Sequence, residues 1–406
     1  MGSHEFAPVP VGTLLDVRVG DIAHGGHCVA RHEGQVLFVR HGLPGEFVRV
    51  RVNSAGGGGR FLRADVVEVL ESEDVGRVSA PCEYAKRCGG CDWQHVSLAR
   101  QRELKAEVVN SALSRALGRS IKVTVEQVPG DSLGLGWRTR IQLAVGADGR
   151  AGLSAQRSHE VIPIDDCLLG HPDLQLAKVL SQRWAGSSQV VVDVDGRGGR
   201  EVSKVPGPRG PDVHRTAAGR DWVVPGAGFW QVHPGAADVL VAAVTEVVTP
   251  KTGEHILDLY VGVGLLGGSL AGAVGATGRV DLVESGRAAV RAAGTNLADL
   301  SQVRVHYGEV GSWLAQRRIK RADVVVLDPP RSGAGPQILA KCIALAPKVI
   351  CYVACDPAAL ARDAKMLAEA GWELFALRAF DLFPMTQHIE CVAGFRPVQA
   401  PGGSNS

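Results

Sequence analysis

The stretch HILDLYVGVGLLGGSLAGAVGATGRVDLVE, residues 255–284, decides the fold. HILDLYV reads as a strand, GVGLLGGSLAGAV as a glycine-rich turn that opens a helix, and GRVDLVE as a second strand. Two strands joined through a helix must run parallel, because a crossover of that length carries the chain back to the same end of the sheet. The alternation continues with the helix GRAAVRAAGTNLADL and the strands VRVHYG, ADVVVLDPP, KVICYVAC, WELFALRAF and IECVAGF, most of them separated by helical segments. The pattern predicts an α/β, doubly wound, Rossmann-like parallel sheet with helices on both faces over residues 246–398.

The glycine turn is a cofactor signal. Gly262 and Gly264 let the backbone approach a ligand at a helix N-terminus, and Glu284, at the end of the next strand, is placed to accept both ribose hydroxyls. Glycine spacing alone leaves the cofactor open, since Gly262, Gly264 and Gly267 also satisfy the dinucleotide fingerprint. Asp258, just before the turn, suits a cationic cofactor better than a pyrophosphate. Asp328-Pro329-Pro330-Arg331, at the end of the apolar strand ADVVVL, makes a rigid lip at the same crevice and tips the balance toward S-adenosylmethionine.

Farther on, YVACDPAALARD (352–363) puts Cys355 at the end of an apolar run, with Pro357 and a helix behind it. DLFPMTQHIECVA (381–393) carries Glu390 on a later strand. A thiol at the lip of a parallel sheet and a carboxylate on a later strand can meet at one substrate atom. That pair reads as a nucleophile and a general base.

Toward the N-terminus the pattern changes. Residues 8–71 alternate short apolar runs with glycine turns and show no helix period, which suggests a small antiparallel, OB-like barrel with Gly56 to Gly59 at a hairpin tip. Residues 72–245 read as a central mixed α+β region, with a helix from about 93 to 117 and strand-like runs from about 120 to 235 broken by the loop VPGPRGPD. The opening MGSHEF and the tail PGGSNS are left out of the fold.

The chain has 406 residues, 45% of them hydrophobic and 21% charged, with a net charge of +2. Those are the proportions of a soluble globular protein long enough for two or three cores. The balance neither demands nor excludes nucleic acid. Basic runs stand at Lys86-Arg87, Arg100 to Lys105 and Arg317 to Arg321, each readable as a solvated helix face. No run of 18 apolar residues exists and no signal-peptide pattern is seen, so a cytoplasmic protein with no membrane contact is expected. Nine cysteines without a secretion signal argue against a disulfide framework. Cys82, Cys88 and Cys91 crowd one short loop, and Cys167 is a distant fourth. Three thiols in a glycine-containing loop with one remote partner fit a four-cysteine site for zinc or an iron–sulfur cluster, and spacing does not choose between them. Cys342, Cys351 and Cys391 read as packing residues.

With these residues in hand, the chain resembles the RNA (uracil-5-)-methyltransferase family along nearly its whole length. FWQVHPGAADVL resembles the segment before that family's catalytic domain, DLYVGVGLL its first cofactor motif, and VVLDPPRSG its Asp-Pro-Pro-Arg motif. VACDPAALARD resembles its nucleophile motif and FPMTQHIECV its general-base motif. Val261, His233 and Asp356 depart from the frequent family residues without removing a group the chemistry needs.

The resemblance implies a class I, S-adenosylmethionine-dependent enzyme forming 5-methyluridine in RNA, with Cys355 adding to uracil carbon 6 and Glu390 removing the carbon 5 proton. It implies that Gln231, Tyr260, Gly262, Glu284 and Asp328 line the S-adenosylmethionine pocket and that Phe229 stacks on the flipped base; Glu309 stands near enough to be considered for the adenine. It implies that Cys82, Cys88, Cys91 and Cys167 hold a 4Fe-4S cluster. The N-terminal barrel resembles the RNA-binding TRAM domain, with Arg40, Arg49 and Arg51 as candidate phosphate contacts. Barrel and cluster together favour 23S ribosomal RNA as target, with the transfer RNA T-loop as the alternative and a monomer as the working state. A catalytically dead RNA-binding or chaperone scaffold is the competing reading from another class, opposed by the intact Cys355, Glu390, Asp328 and Gln231. A dehydrogenase has the glycine fingerprint but leaves Cys355, Glu390 and the Asp-Pro-Pro-Arg motif unexplained.

Overall fold

The computed structural model describes residues 9–156, 158–208, 210–316 and 319–398. The opening MGSHEF, the tail PGGSNS and Arg317 and Arg318 of one basic run lie outside the described residues.

The N-terminal strands are β1 (Leu14–Arg18), β2 (Cys28–His32), β3 (Gln35–Arg40), β4 (Phe47–Gly56) and β5 (Phe61–Glu71). Their order, β1-β4-β5-β3-β2, curls into a Greek-key barrel, because β1 and β2 at its two ends lie side by side. The expectation of a purely antiparallel barrel is corrected here: β3 and β5 pair parallel, Val36 opposite Phe61 and Arg40 opposite Asp65. A return of that kind needs a long connection, and the β4 arm supplies it. Val17, Leu37, Val48, Val50 and Leu62 fill the interior.

Two of the three proposed phosphate contacts are already committed within the barrel. Arg40 is buried and paired with Asp65 (2.7 Å) and Asp92 (3.4 Å). Arg49 spans Asp16 (2.8 Å) and Glu68 (2.9 Å). Arg51 is exposed.

The middle of the chain forms α1 (Leu98–Leu117), β6 (Val125–Gln127), β7 (Arg140–Val145), β8 (Ala151–Ser154), β9 (Val161–Pro163), α2 (Leu176–Leu180), β10 (Gln189–Val194), β11 (Arg200–Val205), β12 (Val213–Ala217) and β13 (Arg220–Val224). Strands β11-β10-β7-β8-β9 make a second sheet around Ile141, Leu143, Val190 and Val192. Helix α1 starts at Leu98 rather than near Trp93, with Ser97 at its N-cap position. It packs against the catalytic sheet's last helix, and β6 pairs parallel with that sheet's outermost strand.

The catalytic sheet comprises α3 (Ala236–Val248), β14 (His255–Leu259), α4 (Leu265–Val274), β15 (Arg279–Glu284), α5 (Arg287–Asn296), β16 (Val303–Tyr307), α6 (Val310–Ala315), β17 (Val324–Leu327), α7 (Gly335–Ile343), β18 (Val349–Ala354), α8 (Pro357–Glu369), β19 (Trp372–Asp381) and β20 (Glu390–Pro397). Its order is β16-β15-β14-β17-β18-β20-β19-β6. All four residues of β17 are buried and split by the pleat: Val325 and Leu327 face the core under α1, α7 and α8, Val324 and Val326 the core under α3 and α4. One strand departs from the all-parallel expectation, for β20 is antiparallel to both β18 and β19. No helix stands between β19 and β20, so the chain turns back as a hairpin. The hairpin brings the start of β20 to the edge where the parallel strands end.

Among the described residues no helix is long and apolar enough to cross a membrane.

Candidate active site

The carboxyl edge of β14, β17 and β18 is where ligands of doubly wound sheets bind, and the sequence-picked residues gather there. The side chain of Cys355 emerges between the buried strand β18 and α8, whose first turn is preset by Pro357 and capped by Asp356, which accepts the Ala359 N–H (2.8 Å). In the β18–β20 ladder Ala354 faces Cys391. One further antiparallel step sets Cys355 against Glu390, so the strand register itself brings thiol and carboxyl together.

The environment disfavours the ionised form of both groups. Burial, with the Glu390 and Asp328 carboxyls, pushes the Cys355 thiol up to about 11, while Arg331 pulls the other way. Burial holds Glu390 well above the usual carboxylate range, with Asp328 adding and Arg331 opposing. Arg331, last residue of the Asp-Pro-Pro-Arg lip, therefore faces both Cys355 and Glu390. It lines one cleft with Cys355, Asp356, His388 and Trp93. The His388 imidazole is lowered to about 4, by burial first and Arg331 next.

The loop bearing Arg331 is clamped from behind. Asp363 Oδ2 accepts the Ala334 N–H (2.8 Å), the Gly335 N–H (3.1 Å) and the Tyr352 hydroxyl (2.7 Å). Arg362 adds a bond to the Ser332 carbonyl (2.7 Å). The sequence reading assigned no role to Arg331, Tyr352 or Asp363. The signal lay inside the quoted motifs, which end on Arg331 and Asp363.

Beside this cleft, Phe229, Gln231, Tyr260, Gly262 and Asp328 line one cavity above the β14–α4 turn. Glu284 stands at its rim, accepting the Gly262 N–H (3.0 Å) and the Gly286 N–H (2.6 Å). Tyr260 has a left-handed φ of 67° and Gly264 one of 97°, where a Cβ would meet Leu297 at 2.8 Å. Asp258 pins the start of α4 by accepting the Gly267 N–H (2.8 Å). Its other oxygen is buried without a partner, and burial, aided by Asp328 and Glu284 against the Gly267 bond, pushes it up to about 8. Burial likewise pushes Asp328 up to about 7. Phe229 stands at the opening of this cavity, with its residue 69% exposed and free to meet something that arrives from solvent. Glu309 is spent as the N-cap of α6, accepting from Gly311 (2.9 Å) and Ser312 (2.7 Å).

Cys82, Cys88, Cys91 and Cys167 line a third cavity, together with Gln94 and Arg138. Gln94 Nε2 donates to Cys91 Sγ (2.6 Å) and the Gly90 N–H to Cys88 Sγ (3.4 Å). Among the described residues no group of three or more metal-ligating side chains is close enough to hold a single ion. Cys28, Cys342, Cys351 and Cys391 are buried and unpaired thiols.

Residues 8–67 match the model of the TRAM domain, and residues 227–395 match that of tRNA (Uracil-5-)-methyltransferase. An uncharacterized RNA methyltransferase of Streptomyces avermitilis is 44% identical over 95% of this chain and 99% of its own length. One from Streptomyces coelicolor is 45% identical, covering 95% and 93%. The chain belongs to the tRNA (uracil-5-)-methyltransferase family. Its fold is also that of the Pyrococcus abyssi tRNA (uracil-54, C5)-methyltransferase, a structure in complex with S-adenosyl-L-homocysteine: TM-score 0.68, 23% identity, 94% of this chain and 99% of that one covered. The family places an RNA-modifying enzyme on this scaffold, and its barrel is an RNA-binding module.

Proposed function

We propose that this RNA methyltransferase forms 5-methyluridine by covalent catalysis, using S-adenosylmethionine, and that its target is 23S ribosomal RNA. The observation that carries the mechanism is the register that sets Cys355 against Glu390, beside a cavity that Asp328 lines and Glu284 edges. Uracil carbon 5 is too poor a nucleophile to take a methyl group unaided. Addition of the Cys355 thiolate at carbon 6 turns the ring into an enolate with electron density at carbon 5. Bound S-adenosylmethionine would supply the methyl group from its sulfonium, so that carbon 5 gains its new bond as the sulfur–methyl bond breaks and S-adenosylhomocysteine is left. Glu390 then removes the carbon 5 proton, the carbon 6–sulfur bond breaks, and the thiolate leaves.

Ionisation is the enzyme's task. Cys355 and Glu390 must both lose a proton before the cycle runs, and Arg331 is the cation that favours both losses. A sulfonium held in the neighbouring cavity, which Asp328 lines, would add a second positive charge. Gln231, Tyr260, Gly262, Glu284 and Asp328 are proposed to hold that cofactor. Phe229 is proposed to stack on the base, which must leave its helix to reach Cys355.

The donor set Cys82, Cys88, Cys91 and Cys167 fits a 4Fe-4S cluster: four thiols share one cavity, and Arg138 beside them compensates the negative charge that such a set carries. Its proposed part is structural, fastening the loop before α1. Barrel and cluster together support ribosomal RNA. The family description supports transfer RNA as the second reading. We further propose a monomer acting in the cytoplasm.

Unmodified 23S and transfer RNA transcripts, incubated separately with labelled S-adenosylmethionine and digested to nucleosides for mass spectrometry, test this. Label in 5-methyluridine from the ribosomal transcript is expected. Label only from transfer RNA would move the target, and no label from either would support the inactive scaffold.

A further inference from the structure

Part of the Cys355 cleft is built by the barrel rather than by the catalytic sheet. His24, Gly25 and Gly26, in the connection between β1 and β2, line it alongside Arg331, Asp356 and His388. The turn is fixed at close quarters. Ala23 N–H donates to the His27 carbonyl (2.8 Å), Gly26 N–H to the Ala23 carbonyl (3.1 Å), and Trp93 Nε1–H to the Gly26 carbonyl (3.2 Å). Gly25 and Gly26 have left-handed φ of 86° and 78°. A Cβ on Gly26 would run into the side chain of Gln387, three residues before Glu390. The turn is thus seated on the segment that leads to the general base.

That seating aims His24 at the nucleophile's neighbour. Its Nε2 lies 3.3 Å from Asp356 Oδ2, while the other Asp356 oxygen caps α8. The His24 side chain remains 53% exposed, so its imidazole faces an anion on one side and solvent on the other. We propose that His24 is a substrate-positioning residue: its imidazole donates to a backbone phosphate at the uridine presented to Cys355. A flipped base brings its own phosphates to the mouth of its pocket, where this donor already faces a carboxylate in the RNA-free protein. Arg40 and Arg49, the barrel's more obvious cations, are committed to carboxylates. The barrel would then do more than raise the local concentration of RNA; it would fix the backbone of the target nucleotide. The inference rests on the RNA-methyltransferase reading above.

Steady-state kinetics on whichever unmodified transcript the wild type methylates is the test, with His24→Ala and His24→Gln in the full-length protein. Loss of a hydrogen bond to a charged group predicts that His24→Ala raises the KM for RNA about tenfold. Its kcat and S-adenosylmethionine affinity should stay near wild type, and His24→Gln, which keeps a donor, should recover most of the loss. An unchanged RNA KM in His24→Ala would overturn the proposal, as would a fall in kcat alone, which would make the His24–Asp356 contact a latch. Should His24→Ala fail to fold, the ordering of RNA KM between His24→Gln and wild type still decides: a rise of tenfold in a folded His24→Gln protein would also overturn it. A wild type inactive on every transcript would instead sink the underlying functional reading.

Discussion

At the scale of single residues, proton positions govern the site. Asp258 and Asp328 titrate near 8 and 7 because burial disfavours their charge, and both therefore bind protons through the neutral range. Their raised values mean that folding favours the protonated forms. This contribution to stability is fully present below the ordinary carboxylate range and is lost as pH climbs through about 7 to 8. A cationic cofactor reverses the preference. S-adenosylmethionine should therefore bind more tightly as pH rises through this window and should release protons on binding near pH 7. Calorimetric titration in two buffers of different ionisation enthalpy checks this, and a buffer-independent heat would refute it. The covalent mechanism has its own residue-level signatures. Cys355→Ala should abolish 5-methyluridine formation while keeping cofactor affinity, and Glu390→Gln should accumulate a protein–RNA adduct that survives denaturing electrophoresis. Methylation by Cys355→Ala would end the mechanism. Cys355, Glu390 and Asp328 were legible in the sequence because each stands beside a feature that local pattern reveals: a strand end, a proline or a glycine turn. His24 was not, since only long-range docking of the barrel brings it to the cleft.

At the scale of elements, two connections hold Arg331 and the Glu390 segment in place. The first is the Asp363 clamp, through which α8 fixes the loop between β17 and α7. Asp363→Asn puts an NH2 where one acceptor oxygen stood, so either the three donors at Oδ2 or the Arg362 guanidinium at Oδ1 should lose their acceptor, and Arg331 should lose its fixed position. An unsatisfied buried donor costs about 1–3 kcal/mol, and a loss of roughly tenfold or more in kcat, with little change in cofactor affinity, is expected. Single-turnover kinetics would measure it. The second connection is the underside of α1. Gln101 accepts the Met385 N–H (2.8 Å) and donates to the Trp93 carbonyl (3.1 Å). One turn later, fully buried Lys105 reaches Asp381 (2.6 Å) and the Phe383 carbonyl (3.1 Å). Helix α1 thereby holds the segment between β19 and β20. Lys105→Ala would strand a buried carboxylate, so denaturant unfolding should show a loss of about 3–5 kcal/mol. A loss below about 1 kcal/mol would show that water enters and compensates. The strand–helix alternation from residue 250 onward was readable because buried parallel strands are continuous apolar runs. The antiparallel sense of β20 was not, because strand direction depends on what connects the strands, and the apolar pattern is the same either way.

At the scale of the whole molecule, barrel, cysteine loop and catalytic sheet meet at Trp93. Its backbone N–H donates to Met385 (3.0 Å) and its indole to Gly26 (3.2 Å), two residues from Cys91. Removing the proposed cluster should therefore disturb the segment that carries Glu390 as well as the loop. Cys88→Ser is expected to lose iron and solubility together, and partial chelation of the wild type should shift Trp fluorescence in step with iron release. Iron loss with unchanged solubility and activity would sink the structural role. That the middle region divides its strands among three sheets was hidden in the sequence. A three-residue strand such as β6 carries too little pattern to announce a partner some 250 residues away, as the Ala379–Val125 pairing shows.

That pairing also bears on how the chain is made. Strand β6 and helix α1 leave the ribosome long before β19 and α8, their partners in the finished fold. At about 5–20 residues per second the wait is roughly ten to fifty seconds. The barrel can close at once and Leu104 of α1 can pack early against Leu43, Trp93 and Val96, but Val109 and Leu113 wait for the core that α8 and the last strands complete. Slower translation late in the message would lengthen the exposure of these side chains to aggregation.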